Sequence, residues 1–219
     1  MCFGNKFKAS QIPILTTIKK GCSLKRVILV MGTPCVGKTA ASLQLAKELK
    51  AVHIDLGKLV MDEKLSSGED KKRGTLIADR TRLAKRVEQI IEGNIDKKDI
   101  IVDGHYATDV VDSGRVSQAF VLRRHPRELR QLMTERGWQE RKIRENLAAE
   151  ILDVCLFDAV KAVGTEKVCE IDATGKSPQE VVREIIQVLK GKEPCTSGDV
   201  DWLGKLEQAG QLDNYLKEF

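Results

Sequence analysis

Apolar residues along this chain fall into short unbroken runs that alternate with longer stretches of helical period. Val27–Met31 is apolar throughout, as expected of a strand buried on both faces of a parallel sheet. A glycine-rich loop follows it. Lys38–Leu49 then reads as a helix, with Leu43, Ala46 and Leu49 on one face. Further strands are predicted at 51–54, 99–103, 118–122 and 167–171. Helices are predicted at 56–65, 79–92, 126–136, 139–162 and 178–189. Strands that alternate with helices predict an α/β fold, in which a five-stranded parallel sheet is wrapped by crossover helices.

The ends differ from this middle. Residues 1–25 carry scattered lysines and no periodicity, and read as a basic, mobile arm. Residues 26–190 hold the regular pattern. Residues 191–199 (GKEPCTSGD) are rich in turn formers and read as a linker. Beyond it Val200, Leu203, Leu206, Leu212 and Leu216 outline an amphipathic tail with a break at Gly210, suited either to packing on the core or to binding a partner.

Composition narrows the class. Hydrophobic residues make up 42% of the 219 and charged residues 32%, which suits a soluble globular protein. The formal net charge of +5 fits anionic ligands such as nucleotide phosphates or RNA, or simply a lysine-rich solvated surface. The longest apolar run near the start is too short for a signal sequence or a membrane span. Cys2, Cys22, Cys35, Cys155, Cys169 and Cys195 form no Cys-x-x-Cys pair and no zinc spacing with histidine. The expectation is a cytoplasmic protein with free thiols and no membrane association.

The sharpest chemical signal is Gly32-Thr33-Pro34-Cys35-Val36-Gly37-Lys38-Thr39, a full G-x-x-x-x-G-K-[ST] phosphate loop between a strand and a helix. Its backbone N–H groups would cradle phosphates, and the helix that follows adds its positive end. Lys38 is expected to reach the β- and γ-phosphates of ATP, and the Thr39 hydroxyl to bind Mg²⁺. The run 99–103 ends in Asp103, a second candidate for holding Mg²⁺ through water, although strand-end acids also begin ordinary turns. His105, two residues on, could orient water or an acceptor, or could be a satisfied loop histidine. The segment 136–144 (RGWQERKIR) offers arginines to close over transferring phosphates and Gly137 as a hinge, or a solvated helix start with Arg141 paired to Glu145.

With these residues in view, the chain resembles the adenylate kinase isoenzyme 6 family and its yeast and archaeal relatives across roughly 26–190. The stretches that carry the likeness are GTPCVGKT, IIVDGH, ERGWQERKIRENLAAEIL and DLGKLVMDEKLSSGEDKKRGTLIADR. The resemblance implies the P-loop fold of nucleoside-monophosphate (NMP) kinases, with an NMP-binding segment at about 55–92 and a lid at about 135–145. It implies that Gly32, Gly37, Lys38 and Thr39 bind ATP phosphates, with Cys35 and Ala40 lining the loop through their backbones. Arg136 would be the lid arginine, Lys176 would lie near the adenine, and Asp103 and His105 would be the family's acid and histidine. The implied activity is transfer of the ATP γ-phosphoryl group to AMP or a similar NMP, accompanied by ATP hydrolysis. The same family is associated with a second role, as an ATPase in small-ribosomal-subunit maturation that contacts a platform ribosomal protein and rRNA. Two departures stand out: the family usually has glycine where Cys35 stands, and some relatives carry arginine near Met61.

Overall fold

A computed structural model of the chain describes residues 25–70, 75–96 and 98–216; the expected arm at 1–24 lies outside the described residues. In chain order the elements are β1 (Val27–Met31), α1 (Lys38–Leu49), β2 (Val52–Asp55), α2 (Leu56–Asp62), β3 (Ser66–Asp70), β4 (Thr75–Ala78), α3 (Arg80–Glu92) and β5 (Ile100–Asp103). There follow β6 (Val116–Arg123), α4 (Pro126–Glu135), α5 (Glu140–Ile151), α6 (Val154–Val163), β7 (Val168–Asp172), α7 (Pro178–Leu189), α8 (Trp202–Gln208) and α9 (Asp213–Leu216).

The five expected strands form one parallel sheet in the order β2-β5-β1-β6-β7. Alternation along β1 explains the two layers of core. Val27, Leu29 and Met31 point to one side, where Leu83, Val87 and Ile91 of α3 and Ala159 of α6 cover them. Ile28 and Val30 point to the other, against Leu45 of α1, Leu129 of α4, Leu147 of α5 and Ile185 of α7. Each layer removes a continuous apolar surface from water, which is the main force holding helices to sheet.

Register sets up the site. Val30 pairs with Asp103, Asp55 with Asp103 and Met31 with Val121, so the carboxyl ends of β1, β2, β5 and β6 lie along one edge. In open α/β sheets this edge carries the ligand site.

Three expectations need correction, and one pair of strands adds to them. The buried face of α1 is Ala41, Ser42, Leu45 and Ala46, while Leu43 is exposed, because the helix packs on both the sheet and α7. The predicted helix at 139–162 is two helices, since Asp153 takes a left-handed φ of 57° that no α-helix continues through. Between the helices predicted at 56–65 and 79–92, where no element was predicted, β3 and β4 pair as an antiparallel hairpin. Finally, the thiols are not all free. Cys169 on β7 and Cys195 in the linker form a disulfide, because the chain returning from α7 runs alongside β7; Cys35 and Cys155 are free. The absence of short Cys spacings says nothing about a pair separated by 26 residues.

Candidate active site at the phosphate loop

The loop leaves β1 through Gly32, whose φ of +132° and position leave no room for a side chain: a Cβ there would lie 2.3 Å from the Leu122 carbonyl oxygen. Cys35 (φ 71°) and Gly37 (φ 108°) are also left-handed. This curls the backbone into a concave turn whose N–H groups converge, the geometry of an anion nest. Gly37 caps α1, and no side chain caps that helix start, which leaves its first N–H groups and dipole for an incoming anion. Cys35 therefore holds a conformation that favours glycine, and its thiol shapes the outer rim of the loop.

Lys38 donates from Nζ to the Thr33 carbonyl at 3.0 Å. Burial pulls its ammonium below the usual lysine range, and Asp103 is the foremost of the groups that pull it back. Thr39 and Ala40 lie exposed in the first turn of α1. Asp103 ends β5 and is 2% exposed, yet its Oδ2 has no hydrogen-bond partner among the described residues. The nearest cation-forming group is His53 on β2, with Nε2 at 3.7 Å and likewise unpartnered. A buried carboxylate oxygen left open is costly unless a ligand completes it. Asp103, whose charge acts on Lys38 at the start of α1, fits Mg²⁺, a hard ion that takes one or two protein oxygens and completes its shell with water and substrate phosphates.

His105 faces the cleft. Desolvation pushes its imidazole down to about 4, the nearby charges of Lys38 and Arg80 push the same way, and Asp109 opposes them. The side chain keeps an open face to solvent, but the direction leaves it uncharged at neutral pH. Its ring packs edge-on against Tyr106.

The basic segment divides between its two readings. Arg141 pairs with Glu145, and Arg144 with Glu140, along the face of α5. Arg136 instead reaches the phosphate loop, its Nη1 3.2 Å from Cys35 Sγ. It is held there by the way α4 ends. Gly137 (φ 70°) donates to the Thr134 carbonyl and Trp138 to the Met133 carbonyl, a Schellman turn that fixes Arg136 as the helix cap. Lys176 stands on the turn after β7, its ammonium paired with Glu184.

A cleft of about 760 Å³ opens beside the loop, between Pro34, the β4 residues Leu76 and Ile77, Arg80, His105, Tyr106, Trp138 and Lys142. Met61, Leu76 and Ile77 each expose half or more of their surface into or beside it. An open, partly apolar cleft lined by Arg80, Lys142 and a neutral histidine suits a flat base carrying a phosphate.

A parallel sheet with its phosphate loop at the carboxyl edge, a buried acid across from the loop lysine and a cleft on the far side define a P-loop phosphotransferase. The profile of the AAA domain matches residues 28–153. The chain is 37% identical over 180 residues to a protein of Methanothermobacter thermautotrophicus named "Putative adenylate kinase", covering 82% of this chain and 99% of that one. It is 34% identical over 176 residues to a protein of the same name from Thermococcus gammatolerans, covering 80% and 92%. The chain belongs to this family of nucleotide kinases. Among solved structures, a gluconokinase from Sinorhizobium meliloti (TM-score 0.51, 17% identity, 77% of this chain and 93% of that one) and a sugar kinase from Janibacter sp. (0.52, 14%, 76% and 95%) share the fold.

Sequence reasoning missed His53, Arg123, Arg124 and Glu150. Three of these left a signal. Glu150 lies on the same helical stripe as Ile143 and Leu147, an acid where an apolar residue is expected. Arg123 and Arg124 close an apolar strand on the ligand-bearing edge.

Proposed function

We propose that this chain is a nucleoside-monophosphate kinase that moves the γ-phosphoryl group of ATP to AMP or a similar monophosphate. The observation that carries this reading is the juxtaposition of Lys38 and the unpartnered carboxylate of Asp103 with an open cleft floored by Arg80 and His105. A phosphate loop alone serves many reactions; a cleft of this size opening on the loop gives a second nucleotide somewhere to sit.

The loop backbone and Lys38 would bind the β- and γ-phosphates, with Arg136 closing over them from the lid. Thr39 and Asp103 would hold Mg²⁺, which neutralises charge on the phosphate oxygens when bound. Arg80 would orient the acceptor phosphate. His105, uncharged, accepts a hydrogen bond from an acceptor or from water. Trp138 and Lys142, on the lid side of the cleft, would exclude water as the lid closes. Hydrolysis of ATP is then the side reaction of an unfilled acceptor site. Lys176 would lie at the adenine edge.

The test is an acceptor screen that follows ADP formation from MgATP with each monophosphate and with none. At least one monophosphate should raise the rate well above that with water alone. If none does, the acceptor reading of the cleft fails.

A further inference from the structure

Directly behind the phosphate loop lies a buried cluster of charges that the reaction above does not use. Arg123, 1% exposed, donates from Nε to Glu150 Oε1 at 2.9 Å, from Nη2 to Asp153 Oδ1 at 2.5 Å and from Nη1 to Glu170. Glu150 is equally buried. Its Oε2 accepts from Thr33 Oγ1 at 2.6 Å, and Thr33 is the second residue of the loop. Beside it, Arg124 donates from its backbone N–H to Glu150 Oε1 at 3.0 Å and from Nε to the Val36 carbonyl at 3.2 Å. The loop is thus gripped at Thr33 and at Val36.

The chain beyond α7 enters the same cluster. Glu170 Oε2 accepts from the N–H groups of Gly198 and Val200, both at 3.0 Å. Glu170 N–H donates to the Thr196 carbonyl at 2.7 Å, next to the Cys169–Cys195 disulfide. Trp202, 3% exposed, donates from Nε1 to Glu150 Oε1 at 3.2 Å. One carboxylate therefore accepts the loop hydroxyl on one oxygen and the tail's indole N–H on the other. In a buried, low-dielectric network such bonds polarise and position one another, so the loss of one donor is felt by the rest.

We propose that Glu150 and Trp202 are positioning residues for the phosphate loop, and that the C-terminal strap at 195–206 is a working part of the nucleotide site. The line of contact runs from the Trp202 N–H to Glu150, from Glu150 to the Thr33 hydroxyl, and from the Thr33 carbonyl to the Lys38 ammonium. A tail that merely covered apolar surface would need the Trp202 ring but not its N–H. This inference rests on the reading that the loop binds ATP.

Two near-isosteric variants test it. Trp202→Phe keeps a ring and removes the N–H; Thr33→Val keeps the shape and removes the hydroxyl. The readouts are calorimetric binding of the magnesium complex of a non-hydrolysable ATP analogue, KM for the monophosphate acceptor, and the thermal midpoint. Each variant should weaken analogue binding about three- to tenfold, the loss of one buried hydrogen bond to an anion, with acceptor KM unchanged. The double variant should lose less than the product of the two, because both act through one carboxylate. Unchanged analogue affinity in the two folded single variants overturns the inference, as do losses that simply multiply. A parent protein that does not bind the analogue at all overturns the ATP reading itself, and this inference with it.

Discussion

Lys38 stands between two demands. Its ammonium must be desolvated to act on phosphate, and burial lowers its pKa; Asp103 opposes that shift, and the Thr33 carbonyl holds the ammonium in place. Removing it in Lys38→Ala should weaken MgATP binding by about 1.5–3 kcal/mol, roughly ten- to a hundredfold, and should reduce turnover further because more charge develops in the transition state. Calorimetry and a coupled ADP assay read the two effects separately. Asp103→Asn should lower every Mg²⁺-dependent rate by roughly ten- to a hundredfold, since the open anionic oxygen is lost. His105→Ala should depress hydrolysis of ATP more than phosphorylation of the acceptor, because a neutral imidazole on the cleft floor serves water when no acceptor fills it; equal loss of both activities would make His105 structural only. The cysteines answer a simpler question. Burial pushes the Cys155 thiol up to about 11, so at pH 8 it should resist alkylation, whereas Cys35, at the loop rim beside Arg136, should label and be shielded by MgATP. Mass mapping with and without nucleotide decides this, and an unlabelled Cys35 among reacting cysteines would make it an inert spacer.

At the scale of elements, α4, α5 and the turn between them carry the segment 135–145 proposed as the lid, and Gly137 shapes that turn. A Cβ at Gly137 meets no atom within 4 Å, so Gly137→Ala is a test of backbone conformation alone. Holding alanine at φ +70° costs about 1–2 kcal/mol, which for a chain of this size lowers the thermal midpoint by roughly 2–8 °C. It should also loosen the contact of Arg136 with the loop and slow phosphoryl transfer. The linker offers an independent handle. Closing a loop across a 26-residue separation restricts the unfolded chain by up to about 3.5 kcal/mol, so reduction of Cys169–Cys195 should lower the thermal midpoint and release two thiols. An unchanged midpoint after verified reduction would contradict that role. These elements also mark the limit of what the sequence discloses. The central strands β1 and β5 were legible because a strand buried on both faces is an apolar run. The β3–β4 hairpin was not, because SSGED carries neither alternation nor β-branched residues, and its pairing shows only against the partner strand. The break at Asp153 was hidden because a left-handed aspartate costs little and leaves the apolar spacing on either side intact.

At the scale of the whole molecule, the carboxyl edge of one sheet brings the phosphate loop and Asp103 together. Arg136 was singled out through the family resemblance, whereas the phosphate loop and Asp103 could be named from local motifs, since each is written in consecutive residues. The support behind them could not. Glu150, Arg123, Glu170 and Trp202 come from four separate stretches and meet only once the sheet and α5 are packed, so no local pattern links them. The disulfide belongs to the same class of long-range fact. Family membership supports nucleotide-kinase chemistry, and the cleft beside the loop is the place proposed for an acceptor. The central claim is that the γ-phosphoryl group passes to a nucleoside monophosphate and not chiefly to water. The most direct measurement follows the fate of γ-labelled ATP incubated with the protein, Mg²⁺ and AMP or the best acceptor from the screen. The account predicts that the label appears in newly formed nucleoside diphosphate and that Lys38→Ala abolishes its transfer. Label released only as inorganic phosphate, at a rate no monophosphate alters, would contradict it.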